Sequence, residues 1–183
     1  MSEPHELDGL IPEAVGETLA AYAATVPLDL AIVEIGSYKG RSTAYLARGA
    51  MDGHGARVYA IDPWDLDGNE NGRFGFAELA TREAFDRQLR AAGVADQVTP
   101  IQGFSQTVAR DWATPVGLLF VDGDHSEQAV HGDYEAWSPQ LVEGATVIFD
   151  DLDTARNPGV RRALETLGLT FDIEAERLAV VRV

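Results

Sequence analysis

The sequence predicts an α/β domain organised around a largely parallel sheet, and three observations carry that expectation. Short apolar runs alternate with longer amphipathic ones along the chain, which is the pattern that successive βαβ units write. Several of those runs end in acids or in glycine-bearing turns, at the edge where open α/β sheets bind ligands. The last two runs are separated only by EAER, too short for the helical crossover that parallel neighbours require. They therefore close the sheet as an antiparallel hairpin.

The strand candidates are AIVEIG (31–36), RVYAID (57–62), QVTPIQ (97–102), GLLFVD (117–122) and ATVIFD (145–150), followed by LTFDI and LAVVRV. Helices are expected near 12–25, 40–51, 76–92, 104–112, 126–141 and 158–168. In the fifth, Val130, Tyr134, Trp137 and Leu141 recur at spacings of four, three and four, so they form a stripe facing the sheet. Tyr134 and Trp137 are read as core. PWDLDGNENGRFG (63–75) is polar, glycine-rich and long for a connection. Loops of that kind are functional or disordered, and this one is read as a lid over the site.

Composition narrows the function classes. The chain has 183 residues, 45% apolar and 24% charged, as an ordinary globular protein has. One domain over 1–183 is expected, with 1–28 as an N-terminal helical segment. Thirty acids against fourteen Lys and Arg give a net charge of -16. Such a polyanion repels phosphate backbones, which argues against a nucleic-acid partner. There is no cysteine, hence no disulfide framework and no thiolate metal site. The N-terminus MSEPHELDGL lacks the basic start and apolar stretch of a signal peptide. No run approaches the roughly 18 apolar residues of a membrane span. These features are read together as a soluble, cytoplasmic domain.

The chemistry gathers at the strand ends. After the first strand, Gly36 and Gly40 let the backbone approach a ligand closely, and the next helix offers free N–H groups. The four-residue spacing departs from the dinucleotide fingerprint. Glu34 adds a negative charge unwelcome to a pyrophosphate and suited to a ligand bearing an ammonium. Asp62, ending the second strand, is read either as an acceptor for two ribose hydroxyls or as a loop acid. Ser105 and Gln106, in GFSQ, would meet an adenine edge or cap the next helix.

FVDGDH brings Asp122, Asp124 and His125, and VIFDD brings Asp150 and Asp151. Asp122, Asp150 and Asp151 ending adjacent strands repel one another without a counter-charge. Three oxygen donors without a thiolate favour a hard cation, Mg²⁺ before Ca²⁺ or Mn²⁺. Such an ion would take two neighbouring hydroxyls of a diol and acidify one of them. His125 is then the general base, its ordinary pKa being near neutrality. Asp124 is read as a solvated turn acid, and His5, His54 and His131 receive no role.

EIGSYKGRST, IDPW, GFSQ, FVDGDH and IFDD, in this order and spacing, resemble the class I S-adenosylmethionine-dependent methyltransferases. The nearest branch is the metal-dependent O-methyltransferases, among them catechol O-methyltransferase and enzymes acting on macrolide sugars. The resemblance runs from about residue 30 to the C-terminus. It implies a Rossmann-like, seven-stranded, mostly parallel sheet with helices on both faces and a C-terminal antiparallel hairpin. It also implies that Gly36, Ser37, Tyr38 and Gly40 surround the methionine part of S-adenosylmethionine, supported by Glu34 and Ser42. Asp62 would hold the ribose, while Phe104, Ser105 and Gln106 would frame the adenine. Asp122, Asp150 and Asp151 would ligate Mg²⁺ or another hard divalent cation. His125 matches the base of the macrolide-sugar enzymes, where the catechol enzyme has a lysine. The acid at Asp151 replaces an amide of the catechol enzyme.

Both correspondences imply a saccharide or glycosylated natural-product diol as the acceptor. A catechol or phenol acceptor is the alternative within the same chemistry. An NAD-dependent oxidoreductase and a non-catalytic cofactor-binding domain are the more distant ones. The N-terminal helix and the lid are the surfaces on which copies of the chain would meet as a homo-oligomer.

Overall fold

The computed structural model describes residues 1–64, 82–152 and 158–183. Its strands are β1 (Ala31–Ile35), β2 (Val58–Asp62), β3 (Val98–Gln102), β4 (Val116–Val121), β5 (Leu141–Phe149), β6 (Asp172–Glu174) and β7 (Leu178–Arg182). They form one sheet in the order β3-β2-β1-β4-β5-β7-β6. β1 to β5 are parallel, and β7 runs antiparallel between β5 and β6. The expected parallel sheet and closing hairpin are both present.

Apart from Glu34 and Thr146, strands β1, β4 and the second half of β5 are apolar on both sides because both faces are covered. Ile32, Leu118, Phe120 and Ile148 pack in one core with Leu19, Leu46 and Phe85. Those three come from α1 (Glu13–Thr25), α2 (Arg41–Asp52) and α3 (Arg82–Ala92). Val33, Leu119, Val121, Val147 and Phe149 face the other way, onto Ala109, Trp137, Val160 and Leu164. These belong to α4 (Ser105–Arg110), α5 (Glu127–Trp137) and α6 (Gly159–Thr166). Full burial of each such large side chain stabilises the fold by about 1.5–3 kcal/mol. That two-sided core holds the strand ends in one row.

One expectation changes. The fifth helix stops at Trp137, and a 3-10 turn carrying Pro139 leads into β5. Proline lacks the N–H that another helical turn needs. Leu141 therefore opens β5 rather than extending the stripe of Val130 and Trp137. The N-terminal helix α1 buries one face, with Val15, Leu19 and Ala23, and keeps Glu13, Glu17 and Ala21 exposed. It lies so close to α2 that a Cβ on Gly49 would come 2.1 Å from the Ala20 carbonyl oxygen. Finally, the lid read over 63–75 lies outside the described residues from 65 on, as does 76–81 of the third expected helix. Among the described residues no helix is long and apolar enough to cross a membrane.

Candidate active site

The turn after β1 is built for close approach. Gly36 has φ +84°, and a Cβ there would lie 2.3 Å from the Asp122 carbonyl oxygen. The exits of β1 and β4 are thus in contact through a missing side chain. Asp62, at the end of β2, organises this turn: its Oδ2 accepts the N–H groups of Ser37 and Tyr38, each at 2.9 Å. Its Oδ1 accepts the Trp64 N–H at 2.6 Å. Trp64 returns the support, donating its indole N–H to the Tyr38 carbonyl at 2.9 Å and packing on Phe85. Both Tyr38 and Trp64 hold positive φ, a strain that such bonds must outweigh. The structure thus gives Asp62 the loop-acid role that the sequence left open beside ribose binding.

The stretch before α1 ties the same turn down from outside. The Lys39 ammonium lies 2.6 Å from Asp8, and Gln88 donates to the carbonyls of Lys39 and Asp8.

Glu34 is fully buried beneath the turn. Its Oε2 accepts the hydroxyls of Ser37, at 2.7 Å, and Thr43. Its Oε1 has no hydrogen-bond partner among the described residues. Burial pushes the carboxyl up to about 7, while the hydroxyls of Ser42, Thr43 and Ser37 pull the other way. An orphaned buried acceptor is rare in a folded protein. It fits a ligand that brings a cationic donor, as the methionine ammonium of S-adenosylmethionine does.

On the β3 side, Phe104 precedes α4 and is 56% exposed. Ser105 is the first helical residue and no side-chain cap is formed, so the capping alternative does not hold. Its hydroxyl instead lies 2.7 Å from Asp133 Oδ1, with the Trp137 indole N–H 3.3 Å away. Gln106 Nε2 reaches the same Asp133 oxygen at 3.5 Å. Asp133 went unnoticed in the sequence, although a carboxylate three residues from Val130 on a buried helix face was a signal. A cleft of about 520 Å³ lined by Gln106, Glu127, Gln128, His131, Gly132 and Glu135 shares only Gln106 with the predicted site.

The acids that follow β4 and β5 lie around His125. The Asp122 N–H continues the β1 ladder by donating to Ile35, and Asp150 continues that of β4 by donating to Val121. His125 Nε2 lies 3.2 Å from Asp122 Oδ1, and its Nδ1 lies 3.5 Å from Asp151 Oδ2. Asp124 accepts the Ser126 N–H at 2.8 Å and so fixes the turn into α5. Burial raises the Asp122 carboxyl well above the usual range, against the His125 hydrogen bond that lowers it. Burial also disfavours a charged His125, but the hydrogen bond and charge of Asp122, with Asp151 and Asp150 behind, outweigh it and raise the imidazole.

Arg177 is the counter-charge that sequence reading missed. Its Nε and Nη2 donate to the two oxygens of Asp150 at 2.7 and 2.9 Å, and Nη2 also donates to Asp151 Oδ1. The hairpin delivers it: β7 pairs Ala179 with Phe149, and the Leu152 N–H donates to the Arg177 carbonyl. The signal was an arginine inside EAER, two residues before that pairing begins.

The residues suit a hard cation in kind and in charge, with three carboxylates against one guanidinium. They do not suit it in position. Among the described residues no three His, Asp or Glu side chains are placed to hold an ion, and Arg177 takes both oxygens of Asp150.

With this geometry established, comparison with known proteins places it. Residues 33–152 match a family model described as a methyltransferase domain. The cofactor-bound structure of Rv0187 from MTB is similar over 97% of this chain and 84% of its own, with 23% identity and a TM-score of 0.70. CalS11, a TDP-rhamnose 3'-O-methyltransferase of calicheamicin biosynthesis, is 21% identical over 92% of this chain and 77% of its own, with a TM-score of 0.63. TomG from Streptomyces achromogenes, an O-methyltransferase of tomaymycin synthesis solved with SAM, is 20% identical over 93% and 78%, with a TM-score of 0.64. The matched segment runs from β1 through the paired acids that follow β5, so the chain belongs to the methyltransferase domain family, and its sheet is the methyltransferase fold.

Proposed function

We propose that this chain is an S-adenosylmethionine-dependent O-methyltransferase acting on a hydroxyl of a vicinal diol, with His125 as the general base. The carrying observation is the seat of His125 between Asp122 and Asp151, at the strand ends that also carry the Gly36 turn. Gly36, Ser37, Tyr38 and Gly40 would line the methionine part of the cofactor, with Ser42 and the orphaned Glu34 oxygen beneath. Asp62 would lie by the ribose, and Phe104, Ser105 and Gln106 by the adenine.

The reaction asks little covalent work of the protein. The acceptor oxygen displaces the thioether from the sulfonium methyl, so one C–O bond forms as the S–CH₃ bond breaks. Holding the two groups in line supplies much of the acceleration. With Nε2–H donated to Asp122, the basic nitrogen of His125 is Nδ1, and it takes the hydroxyl proton. Asp151, 3.5 Å from Nδ1, then stabilises the imidazolium. This tautomer is assigned from the shorter of the two carboxylate contacts, 3.2 Å at Nε2 against 3.5 Å at Nδ1. The divalent ion that the sequence implies, Mg²⁺ first, would need Asp150 and Asp151, which Arg177 holds, so no step is assigned to it.

A saccharide acceptor is favoured over a catechol by the histidine base and the second acid at Asp151. The sugar nucleotide in the name of CalS11 supports the same preference. S-adenosylhomocysteine formation over saccharide and aromatic diols, with Mg²⁺ and with EDTA, tests the whole reading. Turnover on saccharides supports it, and loss of that turnover in EDTA brings a divalent ion back into the reaction. Turnover confined to aromatic diols replaces the acceptor, and turnover that survives EDTA removes the ion.

A further inference from the structure

We propose that Asp133 is the positioning residue of the purine subsite: it fixes Ser105 and Gln106 as hydrogen-bond acceptors toward the ligand, so that the site selects a purine bearing an exocyclic amine over one bearing a carbonyl there. This rests on the cofactor part of the proposed function and adds the residue that sets its base specificity.

Asp133 is 7% exposed and stands on the buried face of α5 with Val130 and Trp137. It reaches the row of strand ends, since a Cβ on Gly123 would lie 3.9 Å from its Oδ2. Burial raises this carboxyl, and the hydrogen bonds from Ser105 and Gln106 hold it toward the charged form, which only accepts. Ser105 therefore donates its hydroxyl proton to Asp133 Oδ1, at 2.7 Å, while its oxygen accepts the Trp137 indole N–H at 3.3 Å. An indole N–H only donates, so neither neighbour lets the hydroxyl turn round. Toward any further partner Ser105 is an acceptor.

Gln106 is oriented by the same oxygen. Its Nε2 lies 3.5 Å from Asp133 Oδ1, and an amide turned about would set its oxygen against a carboxylate. Gly132 makes the room, because a Cβ there would lie 2.6 Å from Nε2 and 3.6 Å from Oε1. The amide thus packs on α5 nitrogen first, and Oε1 is its far end.

Adenine carries an amine donor where guanine and hypoxanthine carry a carbonyl acceptor. Two oriented acceptors match the amine and repel the carbonyl. Without Asp133 the hydroxyl and the amide turn freely, and each can donate to a carbonyl instead. A site built to hydrogen-bond one partner rejects the analogue that cannot complete the bond. Loss of Asp133 therefore costs selectivity beyond any loss of affinity.

The test is calorimetric binding of S-adenosylhomocysteine and of S-inosylhomocysteine, its deaminated analogue, to wild type, Asp133→Leu and Asp133→Asn. Wild type is expected to prefer the amine by at least about 100-fold. Asp133→Leu keeps the branched shape without an acceptor, and there the ratio is expected to fall at least about tenfold. Asp133→Asn still presents an oxygen to Ser105 and is expected to retain most of the preference. Both affinities falling in Asp133→Leu at an unchanged ratio would make Asp133 merely structural and overturn the proposal. Ser105→Ala leaves Asp133 in place and removes an acceptor that it orients, so an unchanged ratio in that variant overturns the proposal too. Equal affinities in wild type overturn it without any variant. Binding of neither compound by wild type overturns the cofactor reading with it.

Discussion

The carboxylate of Asp122 stands 3.2 Å from His125 Nε2, so the residue that leaves β4 orients an imidazole three positions further along. The turn between them is set by Asp124, and the imidazole is set by Asp122. In the role of base proposed for it, His125 would act on the chemical step and not on cofactor binding. His125→Ala is expected to lower turnover by about 10²–10⁴-fold, with S-adenosylhomocysteine affinity unchanged in calorimetry. Loss of cofactor affinity in that variant would remove His125 from the role of base.

Asp62 holds three backbone N–H groups at once. Asp62→Ala leaves all three without their acceptor, and each buried donor so stranded costs about 1–3 kcal/mol. Because the turn is partly open to water, the expected loss is about 2–3 kcal/mol in urea denaturation. S-adenosylhomocysteine affinity should fall at least about tenfold with it. Wild-type stability in Asp62→Ala would contradict the loop-organising role.

Gly36 and Gly144 have nearly the same positive φ, +84° and +82°, yet a Cβ at Gly144 meets nothing within 4 Å. Gly144→Ala therefore carries only the left-handed backbone cost, about 1–2 kcal/mol. Gly36→Ala adds a clash with the Asp122 carbonyl and should be the worse of the two in thermal denaturation. It should also lose S-adenosylhomocysteine binding, which Gly144→Ala should keep. Equal effects would show that close approach at Gly36 does not matter.

In the proposed cofactor site, Glu34 would link binding to pH. Its folded-state pKa is raised from the ordinary 4.5 to about 7, burial being the main cause. The folded protein then holds more protons than the unfolded chain between those values. Stability is therefore fullest below the lower value and declines as pH rises through the upper one. The shift corresponds to something on the order of 3 kcal/mol. A cationic ligand beside Glu34 favours the carboxylate, so binding expels the proton. S-adenosylhomocysteine affinity should rise between about pH 5.5 and 7.5 in wild type and stay flat in Glu34→Gln. Parallel profiles for the two proteins would separate Glu34 from the cofactor.

The sequence by itself determined the sheet, its parallel run and its closing hairpin. Apolar runs buried on both faces and the shortness of EAER leave few other arrangements. It also determined that Glu34, Gly36, Asp62, Asp122, Asp150 and Asp151 share one edge, because each stands at or just past a strand end. Its periodicity misled at Leu141, where a stripe at helical spacing continued past a proline that ends the helix. Only the tertiary structure decided which partners those acids have. Asp62 turned inward to backbone N–H groups, Ser105 and Gln106 were drawn to Asp133, and Arg177 came to Asp150 through the antiparallel register of β7. Local patterning states which side of an element a residue occupies. Pairing between carboxylates and distant donors depends on register and crossover, which are properties of the assembled sheet.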